Sequence, residues 1–472
     1  MLFAAGCRAE QAPPGGTEVR SGLADQREVA VTIYNEDLAL IKDRREIALR
    51  EGRFALEFRE VSGRMQPQTA MLRAVQEPGR VTVLEQNFNF DLLTPGTLLE
   101  KYVGREVRFV RTNPVTGELT DETATVLSAN DGVVVRFADR IETNPPGRLI
   151  FEGVPPNLRD RPTLVLDLDS RIGGSEMLEL SYLSGGLSWQ ADYVAELNAD
   201  DSALDLLGWV TVTNRSGAAY RGARLQLVAG DVNQVRDKLQ MRRNEMLMAA
   251  VSEDAAQGMS EESLFEYHLY TLGRPTDIAD NQTKQVSLLD ADQVPARREL
   301  VLAGTPRFFG GRITGEPDKP KVAVFLSITN DAKSNLGLPL PNGIVRVYKR
   351  DSAGNAQFVG EDRIDHTPEQ RPVKLKLGNA FDVTAERRQL DYRRQSAAAP
   401  HRYQHESEHE IRLFNAKEFP ATVTVREPLP GEWQIIESSH PHRREDAGTA
   451  TWQVEVPARG EAVLTYRVQV RV

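Results

Sequence analysis

The chain has 472 residues, of which 40% are hydrophobic and 27% charged, with one cysteine and a net charge of −10. This length is typical of roughly three domains with sizeable cores. The acidic balance argues against a nucleic-acid partner. The chain has no run of about 18 apolar residues, so no transmembrane helix is predicted. The single cysteine excludes a disulfide within the chain and a Cys-ligated zinc site.

The amino terminus resembles a bacterial lipoprotein processing site. Ala4-Ala5-Gly6 place small residues before Cys7, whose thiol would take a diacylglycerol. The stretch from Arg8 to Glu28 is polar and rich in Pro and Gly, as expected of a tether. The basic and apolar regions of a signal peptide are missing, so we expect a start further upstream or a trimmed signal. The alternative is a cysteine in a disordered tail.

Alternation with period two dominates the chain and predicts strands with one buried face. It places Val29, Val31 and Ile33 on one face, and it recurs in Trp189–Leu197 and in Val322–Ile328. Turn signals separate these runs, such as Gly185-Gly186 and Pro341-Asn342-Gly343. Many short strands at this spacing favour antiparallel sandwiches or barrels over parallel βαβ units.

Three segments depart from this pattern. A short helix is predicted over 97–103, followed by a strand and a hairpin-rich small barrel reaching about residue 143. The Met-, Glu- and Ala-rich stretch at about 234–262 lacks alternation and is interpreted as a mobile loop or loose helix. The stretch from Arg393 to Gln404 is interpreted as a low-complexity connector.

A match to a zinc-peptidase motif lies in the stretch that follows, because His405-Glu406-Ser407-Glu408-His409 reads H-E-x-x-H. The motif works on a helix, where residues i and i+4 share a face and both imidazoles reach one ion. On a strand, His405 and His409 would lie roughly 13 Å apart, with Glu406 on the opposite face. The parity of His405, His409 and Leu413 favours a strand. Pro400 favours a helix start, and the third ligand stays open among Glu418, Glu427 and Glu432.

Other candidate sites are interpreted as structural. Asp167 and Asp169 alternate with leucines and indicate a solvated strand face, and Asp290 and Asp292 indicate a charged turn because the remaining calcium-loop residues are missing. We interpret His440, His442, Arg443 and Arg444 as a solvated turn. The core is predicted to contain Trp189, Tyr193 and Trp209.

Several long stretches resemble one bacterial family, domain-of-unknown-function family 4139, which includes mucoidy-inhibitor-A-like proteins. They include Ser181 to Leu197, Gly208 to Asn233, Leu336 to Asp351 and Leu429 to Ile435. The resemblance implies an exported, β-rich protein without an established enzymatic activity or catalytic residues. Other members often carry a long coiled coil in the middle, which this sequence lacks.

The sequence therefore predicts an all-β protein of antiparallel β-sandwich domains with a small inserted SH3-like β-barrel and few short helices. The predicted organisation is a tether (1–27), a β domain (28–172) with a barrel at about 97–143, a central sandwich (173–392), and a C-terminal segment (393–472) packing as or onto an Ig-like sandwich. We predict a non-enzymatic, cofactor-free envelope module anchored at Cys7 on the periplasmic face of a bacterial membrane. Its partner would be an envelope protein or glycan. A zinc hydrolase using His405, Glu406 and His409 is the alternative.

Overall fold

The computed structural model describes residues 18–35, 37–89, 91–130, 132–155, 158–230, 259–264, 267–396 and 403–471. These residues form an all-β chain, as predicted. The first strands are β1 (Val19–Ser21), β2 (Gln26–Tyr34), β3 (Leu38–Leu49), β4 (Gly52–Arg59), β5 (Met71–Ala74), β6 (Val81–Asn89), β7 (Glu106–Thr112), β8 (Leu119–Ser128), β9 (Val134–Arg136), β10 (Ile141–Thr143), β11 (Arg148–Ile150), β12 (Thr163–Ser170) and β13 (Gly174–Ser184).

The remaining strands follow without a described α-helix between them. They are β14 (Leu187–Leu197), β15 (Ala203–Asn214), β16 (Tyr220–Ala229), β17 (Met259–Leu264), β18 (Tyr267–Leu272), β19 (Thr276–Ile278), β20 (Gln282–Ala303), β21 (Ala323–Asn330), β22 (Gly343–Arg350), β23 (Ala356–Ile364), β24 (Arg371–Asn379), β25 (Val383–Ser396), β26 (Tyr403–Asn415), β27 (Ala421–Pro428), β28 (Glu432–Ser438), β29 (His442–Asp446), β30 (Thr449–Val456) and β31 (Gly460–Arg471).

One short helix, α1 (Pro95–Lys101), precedes β7. The Thr94 hydroxyl accepts a hydrogen bond from the backbone N–H of Thr97 at 3.1 Å, and Pro95 occupies the first turn. Both features favour a helix start. The helix begins two residues before the predicted start because the cap is Thr94 and not a later residue.

The chain divides into two compact units. The first comprises Met1–Trp189, Val212–Val228 and Arg274–Lys284, and the second comprises Gln190–Thr211, Ala229–Gly273 and Gln285–Val472.

The first unit is built on two sheets. One has the order β1-β4-β12-β6, and the other contains β16, β2, β3, β13 and β5 as neighbours. Their apolar faces are buried, as shown by Leu56, Leu164 and Ile33, each 0% exposed. The guanidinium of Arg45 on β3 lies 3.8 Å from the ring centroid of Phe58 on β4, so side chains of the two sheets are in contact.

The inserted segment forms a third sheet of order β10-β9-β8-β7-β11. Its own small core contains Tyr102, Phe109 and Phe137, with α1 residues Leu98 and Leu99 packed against it. Among the described residues the order is open, because β10 and β11 are end strands and do not pair with each other. The predicted small β insertion is therefore present, but its sheet does not close into a barrel.

The second unit contains a long sheet of order β23-β22-β14-β15-β20-β27-β30-β29, with β21 and β24 joined to β20. A second sheet has the order β25-β26-β31-β28. A buried core between strands of these two sheets includes Leu413, Val425, Trp452 and Val468.

The predicted parities are largely confirmed. Val29, Val31 and Ile33 are buried on β2, and Trp189 and Tyr193 are buried on β14. Trp209 is an exception at 38% exposed. It lies on β15 out of phase with the buried residues Leu206 and Val210, so its ring points away from the core and the core prediction is wrong.

Some irregular segments are more ordered than predicted. Val19–Ser21 pairs with β4, within the predicted tether. Met259–Leu264 pairs with β18, at the end of the predicted mobile loop. The six described residues of the predicted connector are strand too, since β25 reaches Ser396 and β26 starts at Tyr403. Cys7, most of the loop at 234–262, and residues 397–402 lie outside the described residues.

No helix in the described part of the chain is both long and apolar enough to cross a membrane.

Candidate functional site

The H-E-x-x-H match lies on strand β26, which is paired with β25 on one side and β31 on the other. The strand prediction is confirmed. His405 and His409 both face inward, at 7% and 0% exposure, whereas Glu406 faces the other side of the sheet. Four extended residues separate the two histidines by roughly 13 Å, too far for both rings to bind one ion.

The acidic residues of the motif form a charged patch on the outer face of the sheet. Arg467 on β31 contacts Glu406 at 3.1 Å and also forms an ion pair with Glu408. All three side chains are partly exposed. Glu406 therefore contacts Arg467 on the face of the sheet opposite to the histidines. From there it cannot activate a water molecule beside either imidazole.

His405 lies near the end of the strand. The hydroxyl of Tyr392 lies 2.6 Å from its Nδ1, and the ring of Tyr403 is nearby at 6.3 Å between centroids. Burial, together with the positive charge of Arg394, lowers the pKa of His405. The ring is held as a neutral partner of a tyrosine.

His409 lies in the centre of the core. Its ring stacks on Tyr466 with centroids 5.2 Å apart and meets the edge of Phe309 at 5.1 Å. Its Nε2 lies 2.9 Å from the Ser407 hydroxyl, while Nδ1 has no hydrogen-bond partner among the described residues. Burial, reinforced by Arg387, lowers the pKa of His409 to about 3. The imidazole is thus neutral at ordinary pH.

An ion pair lies beside His409, and we call Arg387, His409, Glu427 and Tyr466 the interior cluster. Nη2 of Arg387 lies 2.6 Å from Oε2 of Glu427, with side-chain exposures of 3% and 0%. The same nitrogen donates to the Tyr466 hydroxyl at 2.9 Å. Neither Glu427 oxygen has a well-aligned hydrogen bond among the described residues, although the guanidinium of Arg387 is within ion-pair distance. Burial raises the pKa of Glu427, and the guanidinium opposes that rise.

Gly304 provides the space that the interior cluster occupies. A Cβ at this position would lie 2.0 Å from Oε2 of Glu427 and 3.0 Å from Nη1 of Arg387. The residue is a glycine because the buried carboxylate lies where a side chain would begin. A cluster sealed in this way is closed to substrates.

The proposed third ligands do not complete a metal site. Glu418 is exposed and paired with Arg459, Glu432 is opposite Arg471 on the β28–β31 ladder, and Glu427 belongs to the interior cluster. In the described residues, no three His, Cys, Asp or Glu side chains are placed to hold one metal ion.

The remaining sequence candidates are on strands. Asp290 and Asp292 flank the buried Ala291 within β20, so the predicted charged turn is wrong and both are exposed strand residues. Similarly, His442, Arg443 and Arg444 belong to the exposed strand β29, while His440 precedes it. Asp167 and Asp169 face outward from β12, as predicted.

A small apolar cavity in the second unit is unsuited to a substrate. It is lined by side chains such as Tyr193, Leu206 and Val345, and it measures about 10 Å³. A volume of about 10–15 Å³ is the minimum for one water molecule. This cavity is a packing gap in the core.

The surface feature that stands out is the edge strand β6. It is the last strand of its sheet, with β12 as its only strand partner among the described residues. Its sequence, VTVLEQNFN, spans nine residues and contains one charge, Glu85. Five residues are exposed on both faces: Thr82, Leu84, Glu85, Gln86 and Asn87. A long edge strand with few charges is unusual, since natural edges are commonly shortened or charged.

Two carboxylates face each other at this edge. Glu85 on β6 is directly opposite Asp167 on β12. Cβ atoms of such pairs lie about 4.5–5.5 Å apart, and like charges there are destabilising. Neither carboxylate forms an ion pair with a described residue, and neither strand contains Lys, Arg or His. The ladder ends at Val81–Ser170, beyond which Arg80 and Arg171 follow.

Comparison with known proteins identifies one family. A sequence model of the family described as Domain of unknown function (DUF4139) matches residues 178–472. The chain belongs to this family. No curated protein matches the chain.

The part that matches DUF4139 contains the whole interior cluster and strand β26. It does not contain β6, Glu85 or Asp167, which precede residue 178. The family description assigns no activity to either feature, so their roles follow from the geometry of this chain.

Sequence reasoning missed the interior cluster, although parity contained a signal. On β25, Arg387 follows the buried residues Val383 and Ala385 at alternate positions. On β27, Glu427 follows the buried Val423 and Val425 in the same way. A charged residue in phase with a buried face indicates an internal ion pair, but its partner lies 40 residues away and cannot be identified from alternation alone.

Proposed function

We propose that the chain is a non-enzymatic binding or scaffolding module of the bacterial cell envelope that engages a partner protein through β6. The observation that carries the proposal is the outer edge of β6, which no strand pairs among the described residues and which has five exposed residues and one charge in nine. Free edges of this kind accept an added strand from another protein, because backbone N–H and C=O groups are available for pairing.

The state of the histidines supports a role without catalysis. A hydrolase based on His405, Glu406 and His409 needs both imidazoles and the carboxylate around one ion or one water. In β26 the imidazoles are buried against Tyr392 and Ser407, and the carboxylate contacts Arg467 on the other face. The alternative zinc function therefore has no geometric support.

The envelope location is the second part of the proposal and rests on Ala4-Ala5-Gly6-Cys7. A lipid at Cys7 would hold the folded units near a membrane, with the following polar stretch as a spacer. The test expresses the gene with its own upstream region in its bacterial host, alongside a Cys7→Ser variant. Incorporation of a labelled fatty acid that is lost in Cys7→Ser supports the anchor, and an unlabelled wild-type protein contradicts it.

Site-specific photo-crosslinking in the same cells tests the binding role. The crosslinker replaces Leu84 on β6, which is 45% exposed. Two control positions are more exposed, Val115 at 91% and Phe381 at 94%. The proposal predicts a discrete adduct from position 84 that is absent at both controls, with the linked partner residues identified by mass spectrometry. Adducts of equal intensity at all three positions, or none at position 84, would contradict it.

A further inference from the structure

We infer that β6 binds an extended, basic segment of a partner protein, which adds a strand to the β1-β4-β12-β6 sheet and places a Lys or Arg beside Glu85. This inference rests on the proposed binding role of β6 and specifies the chemistry of the partner.

The backbone of β6 provides the first part of the recognition. Its hydrogen-bonding groups on one side pair with β12 from Asn89 to Val81. On the other side, no strand pairs with it among the described residues. A new strand would lie about 4.8 Å from β6 and satisfy alternate backbone groups along it.

Three other edges of the described sheets are less suited to an added strand. In β29, Arg443, Arg444, Glu445 and Asp446 make four of the five residues charged. The edge strand β1 spans three residues and β5 spans four. Charges and short length both discourage strand addition. Among these edges, β6 combines length with low charge.

The facing carboxylates supply the charge preference. Glu85 and Asp167 repel each other across the β6–β12 ladder without a cation on either strand. A Lys or Arg on the same face of an added strand would lie beside Glu85 and reduce this repulsion. Cross-strand pairs of opposite charge are stabilising and pairs of like charge are destabilising, which favours basic over acidic segments.

The same charges disfavour a second copy of this chain as the occupant. Pairing β6 with β6 of another copy would bring a second Glu85 and a second Asp167 to the same sheet region. It would also join two chains that each carry a net charge of −10. A basic partner has neither disadvantage.

Leu84 adds an apolar contact. The register between β6 and β12 shifts between Asp167 and Leu168, so Leu84 has no residue opposite it in the ladder. Its side chain is 45% exposed. The added strand should therefore present a small or β-branched residue near the lysine or arginine, to cover Leu84.

The experiment measures binding of synthetic peptides to the full chain by fluorescence anisotropy. The main probe is a nine-residue peptide that alternates Lys with Val and Thr. The second replaces each Lys by Glu, the third replaces each Lys by Ser, and the fourth keeps Lys but carries an N-methyl group on every backbone amide. The fourth keeps the charge while preventing strand pairing.

The protein variants separate the effect of the charge at residue 85 on peptide binding from its effect on folding. Glu85→Lys removes the repulsion with Asp167, so it should fold at least as well as wild type while losing the basic peptide. Glu455→Lys is the matched control, because Glu455 is an exposed carboxylate on β30, opposite Thr422, with no ion pair among the described residues. Native oligomeric state is measured by sedimentation.

The inference predicts that the Lys peptide binds, and that N-methylation or Glu85→Lys each weakens binding by about tenfold, equivalent to about 1.4 kcal/mol. Glu455→Lys should leave the affinity within about twofold, and the Glu peptide should bind weakest. Equal binding of the N-methylated peptide would overturn the inference, because contact would then be electrostatic without strand addition. A self-associating chain whose dimer is lost in Glu85→Lys would also overturn it.

One outcome separates this inference from the proposed function. If the Ser and Lys peptides bind equally well and N-methylation abolishes binding, β6 accepts a strand but does not select for charge. The proposed binding role then stands, and the basic partner is ruled out. Failure of the proposed function is recognised in the crosslinking experiment, which does not depend on the charge of the partner.

Discussion

Arg387 and Glu427 form an ion pair 2.6 Å apart inside the core of the second unit, where their side chains are 3% and 0% exposed. The pair lies against His409, Tyr466 and the ring of Phe308. The carboxyl-terminal region therefore contains ionisable groups that are buried in the core and paired with each other. The binding surface that we propose lies on a different feature, the edge of β6.

Breaking the buried ion pair should destabilise the protein strongly. Glu427→Leu leaves a buried guanidinium without its counterion, and Arg387→Met leaves a buried carboxylate. Each single variant should lose about 3–5 kcal/mol in the free energy of unfolding. The double variant should recover a large part of that loss, because no charge stays buried. Urea titrations of the four proteins measure this, and additive losses in the double variant would contradict the account.

Gly304→Ala should be destabilising even though it adds one methyl group. The new Cβ would lie 2.0 Å from Oε2 of Glu427, so the ion pair must shift. Overpacking of this kind costs about 1–3 kcal/mol. Gly310→Ala is the control, because no atom lies within 4 Å of a Cβ there. It should change stability by less than about 0.5 kcal/mol. Equal thermal unfolding midpoints for both variants would show that the cluster has room for a side chain.

The stability should depend on His409 under mildly acidic conditions. Its pKa is lowered to about 3 in the folded chain, against an ordinary value of 6.5. As the pH falls from 6.5 towards 3, the unfolded chain therefore binds a proton that the folded chain does not, and stability is lost. The contribution reaches about 1.4 kcal/mol per pH unit. Above pH 6.5 it is fully present.

His409→Phe isolates this contribution. Glu427, whose pKa is raised, titrates in the opposite sense, so wild type and variant must be compared at each pH. The loss of stability between pH 6.5 and 4 should be smaller in His409→Phe than in wild type. His442→Gln alters an exposed histidine and should retain the wild-type slope. Identical slopes for all three proteins would mean that His409 titrates normally in the fold.

Zinc should not bind stoichiometrically at β26. The chain from residue 18 onward, purified without chelator or His-tag, should contain far less than one zinc ion per molecule, because His405 and His409 cannot reach a common ion. A His405→Ala/His409→Ala double variant provides the comparison. About one zinc per chain that disappears in the double variant would contradict the strand geometry.

Reversing the charge at Glu85 should stabilise the free protein. Glu85→Lys converts the facing pair with Asp167 from repulsive to attractive, worth about 0.2–1 kcal/mol. Glu455→Lys should give no comparable gain, since Thr422 is opposite it. The comparison uses urea midpoints at low and high salt, and the gain should shrink at high salt. A loss of stability in Glu85→Lys would show that Glu85 already has a cationic partner.

The sequence predicted the local structure of β26 well and its surroundings poorly. Alternation over His405, His409 and Leu413 was enough to favour a strand over the helical zinc motif, which was kept as the alternative. Alternation of apolar and polar residues along a strand does not indicate which other strands become its neighbours. The contact of Arg387 with Glu427 and the pairing of β6 with β12 join residues distant in sequence, so neither was predicted.

Errors in the other elements have similar physical reasons. Trp209 was assigned to the core by residue type, whereas its phase on β15 places it outside. The inserted segment has the short strands of a small barrel, but closure depends on whether its end strands β10 and β11 meet, which turn signals do not determine. Asp290 and Asp292 flank the buried Ala291 on the long strand β20, and the alternation shifts its phase at Gln293, whose φ is 53°.

Hydrogen exchange along β6 tests the central claim, that this edge accepts an added strand, most directly. Amide exchange of Val81–Asn89 is measured in the full chain with and without a saturating amount of the alternating Lys peptide, and with the N-methylated peptide as control. The account predicts that alternate amides of β6 slow by about tenfold or more with the Lys peptide, while those already bonded to β12 change little. Unchanged exchange along β6, or equal protection by the N-methylated peptide, would contradict it.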